Sequence, residues 1–174
     1  MTAANVSAAA LRPFLIETVA VSISDLGVDP YDDDPEKALR DAIEKSGFGL
    51  PTNDEWEAAM RAGVSTLFAW GNSWPDGAGP LSADPYRGSR TFNAHSKPNA
   101  LGIVPRTNPY ETEVVAEHNW LRGGDGGGAV CGGRPIPEAW YSFALAFQLP
   151  RELWGDLVSE TFEQAFVRRA LSLA

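Results

Sequence analysis

Cysteine is almost absent: Cys131 is the one thiol in 174 residues. A single cysteine excludes an intramolecular disulfide framework and any paired-Cys or four-Cys metal knuckle. Histidine is nearly as scarce, with only His95 and His118. Basic residues are also few, since 14 Lys and Arg stand against 23 Asp and Glu for a formal net charge of −9. No basic stripe runs along the chain, and nucleic-acid binding depends on neutralising phosphates, so a nucleic-acid partner is not expected. No apolar run approaches the roughly 18 residues that a membrane span needs. The opening MTAANVSAAALRPFLIETVAVS has no basic segment ahead of its apolar residues, so it reads poorly as a secretory signal and a cytoplasmic protein is expected. No repeat or low-complexity linker divides the sequence. What is present is the composition of a globular domain: 44% hydrophobic residues, with six Trp and eight Phe. The length suits one domain with one core.

Residues 1–12 are Ala-rich and read as a flexible amino terminus. Residues 14–22, FLIETVAVS, are apolar and rich in β-branched side chains, which predicts a strand. The acidic run Asp32-Asp33-Asp34 lacks the Gly and distal Glu of an EF-hand loop and leads instead into a helix. Asp34 as N-cap and Pro35 at the first position predict a helix over residues 35–46, with Leu39, Ala42 and Ile43 inward and Gly47 as its stop. Thr52 and Glu55 form a Thr-x-x-Glu capping box that starts a second helix. Trp56, Ala59 and Met60 share its inner face, and Gly63 ends it. Residues 71–99 are dense in Gly, Pro, Asn and Ser, with Trp74, Tyr86 and Phe92 interspersed; a stretch this long is packed by its aromatics or functional. Residues 113–116 and 119–121 are strand-like. Residues 140–149, WYSFALAFQL, fit a strand buried on both faces or a short helix. Over residues 151–174, Leu153, Leu157, Phe162, Phe166 and Ala170 fall on one stripe. Arg168 and Arg169 would suit the last turns, so an amphipathic helix is predicted.

Six pieces in order carry a resemblance. Leu50-Pro51-Thr52-x-x-Glu55-Trp56-Glu57-x-Ala59 is followed by Trp70-Gly71-Asn72, Asn99-Ala100-Leu101-Gly102-Ile103 and Asn108-Pro109-Tyr110-Glu111. Leu121-Arg122-Gly123-Gly124 and Ala146-Phe147-Gln148 come last. Together they resemble the formylglycine-generating-enzyme (sulfatase-modifying-factor) family. The resemblance implies an α+β, C-type-lectin-like fold over residues 13–150: loop-rich, with a small twisted antiparallel sheet and two main helices, followed by the C-terminal helix. It also implies chemistry that the residues depart from. The family's copper is held by two cysteines just after the RGGS element, whereas Cys131 stands alone at another spacing. The iron-dependent branch uses three histidines, and two exist here. The family's calcium loops retain Asn99 and Glu111, but Thr107 replaces a Gly and Val104 replaces an oxygen donor.

The leading expectation is therefore a pseudoenzyme: a non-catalytic binding module that presents loops 71–99 and 122–133 to a ligand or a protein partner, or to a second copy of itself. Its candidate binding residues are Trp74, Tyr86, Arg122, Asp125, Cys131, Trp154, Phe162 and Phe166. A competing expectation is a metal-dependent oxidase with rearranged ligands, using His95, His118, Glu111 and Cys131, with His118, Asn99 and Glu111 as metal candidates and calcium as the cofactor implied by the resemblance. A third is a structural subunit docked by the 151–174 helix, whose removal would leave the rest folded. The Gly-rich 122–133 segment is no phosphate cradle by pattern. It lacks G-x-x-x-x-G-K-[ST], the strict G-x-G-x-x-G fails in both frames, and no helix is expected to open there. A backbone-dense loop packed over the sheet is the simpler expectation. Cys131 by itself reads as a small buried hydrophobe, and Trp56, Trp70, Trp120 and Trp140 as core.

Overall fold

The computed structural model describes residues 11–74, 79–82, 94–150 and 162–173. Its two longest helices start where their caps predict. The Asp34 side chain accepts from the Lys37 amide at 3.0 Å, and α1 runs Pro35–Lys45 with Leu39 and Ile43 buried. In α2, Asn53–Arg61, the Glu55 amide donates to Thr52 Oγ1 at 3.2 Å and the Thr52 amide donates to Glu55 Oε2 at 2.8 Å. Both arms of the capping box are thus closed, satisfying two amides that lack intrahelical partners. The helix ends on two left-handed residues, Ala62 at φ 46° and Gly63 at φ 86°.

The strands are short: β1 Phe14–Ile16, β2 Val21–Ser22, β3 Thr112–Val114, β4 Trp120–Arg122, β5 Leu149–Pro150, β6 Ala165–Val167 and β7 Ala170–Ser172. β1 and β7 form a two-stranded antiparallel sheet with Leu15 opposite Leu171. The others make a five-stranded sheet in the order β2-β6-β3-β4-β5. The architecture is α+β, but the larger sheet is mixed rather than antiparallel, because β3 and β6 run parallel with Glu113 opposite Phe166. A parallel pair needs a long crossover, and here the chain passes through β4, α3 (Gly128–Cys131), α4 (Ile136–Tyr141) and β5 before returning.

Three further expectations need correction. The C-terminal helix does not form at residues 165–172, which are β6 and β7; only Phe162 and Glu163 are helical there, and residues 151–161, including Trp154, lie outside the described residues. β6 sits between β2 and β3, so pairing on both edges and burial of Ala165 and Val167 override a helical spacing that local sequence favours. This end of the chain is therefore part of the core, and its removal would take out a central strand. Second, the single strand expected over 14–22 is two, since residues 17–20 carry the chain from the small sheet to the large one. Arg168 and Arg169 make the same passage between β6 and β7, and the two passages are joined by Glu17 N–H donating to the Arg169 carbonyl at 3.1 Å. Third, residues 140–149 contain the end of α4 and the start of β5 rather than one element.

The largest core cluster gathers Ile23, Leu39, Ile43, Val114, Leu121, Phe162 and Val167 between α1 and the sheet. A second packs Trp56, Ala59 and Met60 of α2 against Ile103, Val115 and Leu145. A third joins Phe68, Trp140 and Phe143. Trp56 and Trp140 are buried as expected, while Trp70 and Trp120 are half-buried. Glu113 and Arg168 are also fully buried, as an ion pair. Arg168 Nε donates to Glu113 Oε2 at 2.8 Å, and Trp56 Nε1 donates to the same oxygen at 2.8 Å, tying α2, β3 and the β6–β7 passage together.

Candidate functional site

A cavity of about 420 Å³ opens beside the passage between β1 and β2, where Val19 and Ala20 form one wall. Pro80 and Leu81, on a single 3-10 turn, and Val104 add apolar surface. Arg106, Asn108 and Glu111 contribute its polar surface. Val104 is held in place from behind: its carbonyl accepts from Arg168 Nη2 at 2.6 Å, and its amide donates to the Thr18 carbonyl at 2.9 Å. The buried ion pair therefore fixes two walls at once.

The polar wall is ordered by its own contacts. Arg106 Nε donates to Glu111 Oε2 at 2.6 Å, and Arg106 Nη2 pairs with the same oxygen. Asn108 Nδ2 donates to Glu111 Oε1 at 3.3 Å. The Arg106 guanidinium lies over the Phe166 ring, 3.6 Å from its centroid. One face of the cation is thus covered by an aromatic ring and two of its nitrogens are spent on a carboxylate.

His95 also lines the cavity. It sits on the 3-10 turn Ala94–Ser96, is 2% exposed, and meets the rings of Trp70 and Trp140 edge-on at 6.1 and 5.8 Å between centroids. Of the other catalytic candidates, His118 is exposed, with Nδ1 2.7 Å from Glu36 Oε1 on α1. Cys131 is exposed rather than buried, with Sγ 3.2 Å from the Tyr110 hydroxyl. The hydrogen bond and charge of Cys131 push the Tyr110 hydroxyl above its ordinary pKa. Thus His95 and Glu111 face one cavity, while His118 and Cys131 each stand elsewhere with a different neighbour. Among the described residues, no three His, Cys, Asp or Glu side chains gather where they could hold a metal ion.

The calcium candidates have other work. Asn99 Nδ2 donates to the Ala59 and Met60 carbonyls at 2.9 and 3.1 Å, and its Oδ1 accepts from the Leu101 and Ile103 amides. It caps the end of α2 and pins the 99–103 turn. Glu111 is neutralised by Arg106, a cation supplied by the chain itself.

Several binding candidates prove structural. Arg122 is fully buried: Nε donates to Asn53 Oδ1 at 2.8 Å, and Nη1 to the Leu145 and Phe147 carbonyls at 3.0 and 2.9 Å. Burial pushes its guanidinium below the ordinary arginine value, offset in part by Glu57. Phe162 is core and Phe166 is half-covered beneath Arg106, so neither Arg122 nor Phe162 offers a docking surface. Trp74 packs edge-on against Phe68 and Tyr141, with centroids at 6.2 and 5.9 Å. Tyr86, with residues 75–78 and 83–93 of the expected binding loop, lies outside the described residues.

The Gly-rich segment packs closely, as its composition predicts. A Cβ on Gly124 would lie 2.3 Å from the Glu111 carbonyl oxygen, and one on Gly127 would lie 2.3 Å from the Tyr110 ring. Asp125 accepts from the Gly127 and Ala129 amides at 3.0 and 2.8 Å, which opens α3, a single helical turn that the sequence reading excluded. Asp125 is thus a local cap. The segment braces the 108–111 turn from outside the cavity. One of the cavity's ordering groups has no sequence motif: Arg106, whose one signal is a cation five residues before Glu111.

No family model matches the chain, and neither curated proteins nor solved structures show a significant match to it.

Proposed function

We propose that the chain is a non-catalytic, formylglycine-generating-enzyme-like module that binds a small ligand in the cavity between residues 19–20, 80–81, 95–96 and 104–111. The observation that carries this reading is the cavity itself. It has the size of a small-molecule site, and its lining combines apolar residues with a few fixed polar groups. The groups best suited to chemistry support a binding role over a catalytic one. Cys131 and His118 stand apart from the cavity, and Glu111 is held by Arg106 and Asn108. A general base or nucleophile needs a partner within hydrogen-bond reach, and neither Cys131 nor His118 has the other.

The test is a small-molecule screen on the full chain by ligand-detected NMR, repeated on Val19→Trp. Val19 is 55% exposed at the cavity wall, so an indole there fills the space without disturbing the core. Compounds that bind the parent and lose binding in a normally folded Val19→Trp support the reading. Binding that survives the substitution, or no binding across the screen at millimolar concentration, refutes it.

A further inference from the structure

The cavity contains one Lys or Arg, Arg106, and one Asp or Glu, Glu111, among the described residues that line it. They are in contact, so together they leave no net charge on the described lining, and each keeps unused capacity. Arg106 spends Nε and Nη2 on Glu111 Oε2, leaving the two N–H groups of Nη1 without a hydrogen bond among the described residues. Glu111 Oε1 receives only the 3.3 Å bond from Asn108. A donor pair on a cation and an acceptor on the carboxylate it grips thus belong to residues lining the same cavity as the apolar Val19, Leu81 and Val104.

Resting on the ligand-binding reading above, we propose that the ligand is a small zwitterion: an α-amino acid with an apolar side chain. Its carboxylate takes Arg106 Nη1 and its ammonium takes Glu111 Oε1, while the side chain lies against the apolar wall. The chemistry selects this class. A net anion such as a phosphate would meet a single guanidinium already paired, with Glu111 repelling it. A net cation would meet Arg106. An α-amino acid carries its two opposite charges on one carbon and its carboxyl, side by side as the pair in the cavity is, so neither wall group is left facing a like charge. The existing Arg106–Glu111 contact holds both groups in place before the ligand arrives, which reduces the ordering cost of binding. Phe166 under the guanidinium and Asn108 on the carboxylate fix the remaining freedom.

The experiment is isothermal titration of the full chain with L-phenylalanine and L-leucine, alongside 3-phenylpropionate and 2-phenylethylamine, which each lack one charge. The amino acids are expected to bind, and each one-charge analogue to bind at least about tenfold more weakly. Glu111→Gln keeps the shape but removes the anion, its single carbonyl oxygen serving Arg106 or Asn108 but not both, and is expected to erase the preference for L-phenylalanine over 3-phenylpropionate. Since Glu111 braces its own turn, the melting temperature of that variant is measured beside its affinity. If it does not fold, Asn108→Asp serves, adding a second anion that should weaken 3-phenylpropionate more than L-phenylalanine. Equal binding of the charged and one-charge compounds overturns the proposal. Binding of an uncharged probe such as indole, blocked by Val19→Trp, with no amino-acid binding overturns it while leaving the ligand-binding reading intact. Silence from every compound, indole included, overturns both.

Discussion

Replacing Arg168 by Met removes a core side chain that, like Arg122, makes five hydrogen bonds. Its guanidinium makes five hydrogen bonds: two to Glu113 at 2.8 and 3.0 Å, and three to the Glu17, Thr18 and Val104 carbonyls at 3.2, 2.8 and 2.6 Å. Methionine fills most of the volume, so the loss is electrostatic rather than a cavity. It strands the Glu113 carboxylate, 1% exposed, with Trp56 Nε1 as its remaining side-chain donor. Removing one partner of a buried ion pair costs about 3–5 kcal/mol, because the other charge is left uncompensated. With a urea slope of about 1–3 kcal/mol/M, the unfolding midpoint should fall by at least about 1 M. If Arg168→Met does not fold, Arg168→Lys keeps the charge but loses the fork and should show a smaller drop. Glu113→Gln in the Met background removes the stranded charge and keeps an acceptor for Trp56. The two substitutions should therefore be non-additive, with a coupling of about 1–3 kcal/mol in their favour. A cost for Arg168→Met no larger than that of a surface arginine, or an additive cycle, would refute the idea that this pair organises the fold.

Gly124→Ala should be destabilising by well over 1 kcal/mol in chemical denaturation, because its Cβ meets the Glu111 and Pro109 carbonyls at 2.3 and 2.9 Å; Gly126→Ala, with open space at its Cβ, should lose only the roughly 1 kcal/mol of a left-handed residue. Thr112→Val should be neutral or stabilising by about 1 kcal/mol, since Thr112 is fully buried and its hydroxyl has no hydrogen-bond partner. Burial raises the Glu17 carboxyl, but the hydrogen bonds and charge of Arg169 outweigh it and hold the group below its usual value. Its stabilising contribution is therefore complete above the unfolded carboxylate value of about 4.3 and is lost as pH falls through the lower folded value. Both side chains are partly exposed, so Glu17→Gln should remove about 1 kcal/mol or less at neutral pH and flatten the acid limb of a pH–stability curve. Native Cys131 should react with a thiol reagent to one equivalent per chain without unfolding, as read by intact mass; protection until denaturant is added would contradict its exposure.

The parts of this fold written in local chemistry were legible. Asp34-Pro35 and Thr52-x-x-Glu55 act within four residues, and both helices begin where those caps lie. The strand-like residues 113–116 and 119–121 overlap the paired β3 and β4. What failed depends on distant partners. Residues 165–172 carry a helical spacing, yet β6 is chosen by β2 and β3 on its two flanks, and no window of local sequence contains either. Arg168 and Arg122 looked like a helix-end charge and a binding residue, whereas each is enclosed because carboxylates and carbonyls far along the chain converge on it. The cavity was half legible: Glu111 and His95 were singled out, but for metal chemistry. Their common wall appears only when Arg106 folds onto Glu111 and the 3-10 turn at 94–96 packs beneath two tryptophans.

The arginines explain how a chain with so little regular structure keeps one arrangement. Strands of two or three residues supply few ladder bonds, so many carbonyls in the connecting segments need donors from elsewhere, and a buried carbonyl left without one is costly. A guanidinium suits this because it offers five donors in a fixed fork and no acceptor of its own. Arg40 donates to the Val115 and Ala116 carbonyls, Arg122 to those of Leu145, Phe147 and Asn53, and Arg168 to those of Glu17, Thr18 and Val104. Each also holds a carboxylate: Glu36, Glu57 and Glu113 in turn. The carboxylate balances the buried charge while the fork cross-links loops far apart in sequence. Arg106 follows the same rule at the cavity, with one difference. It grips Glu111 and stacks on Phe166 but, among the described residues, donates to no carbonyl, so Nη1 makes no hydrogen bond in a residue that lines the cavity.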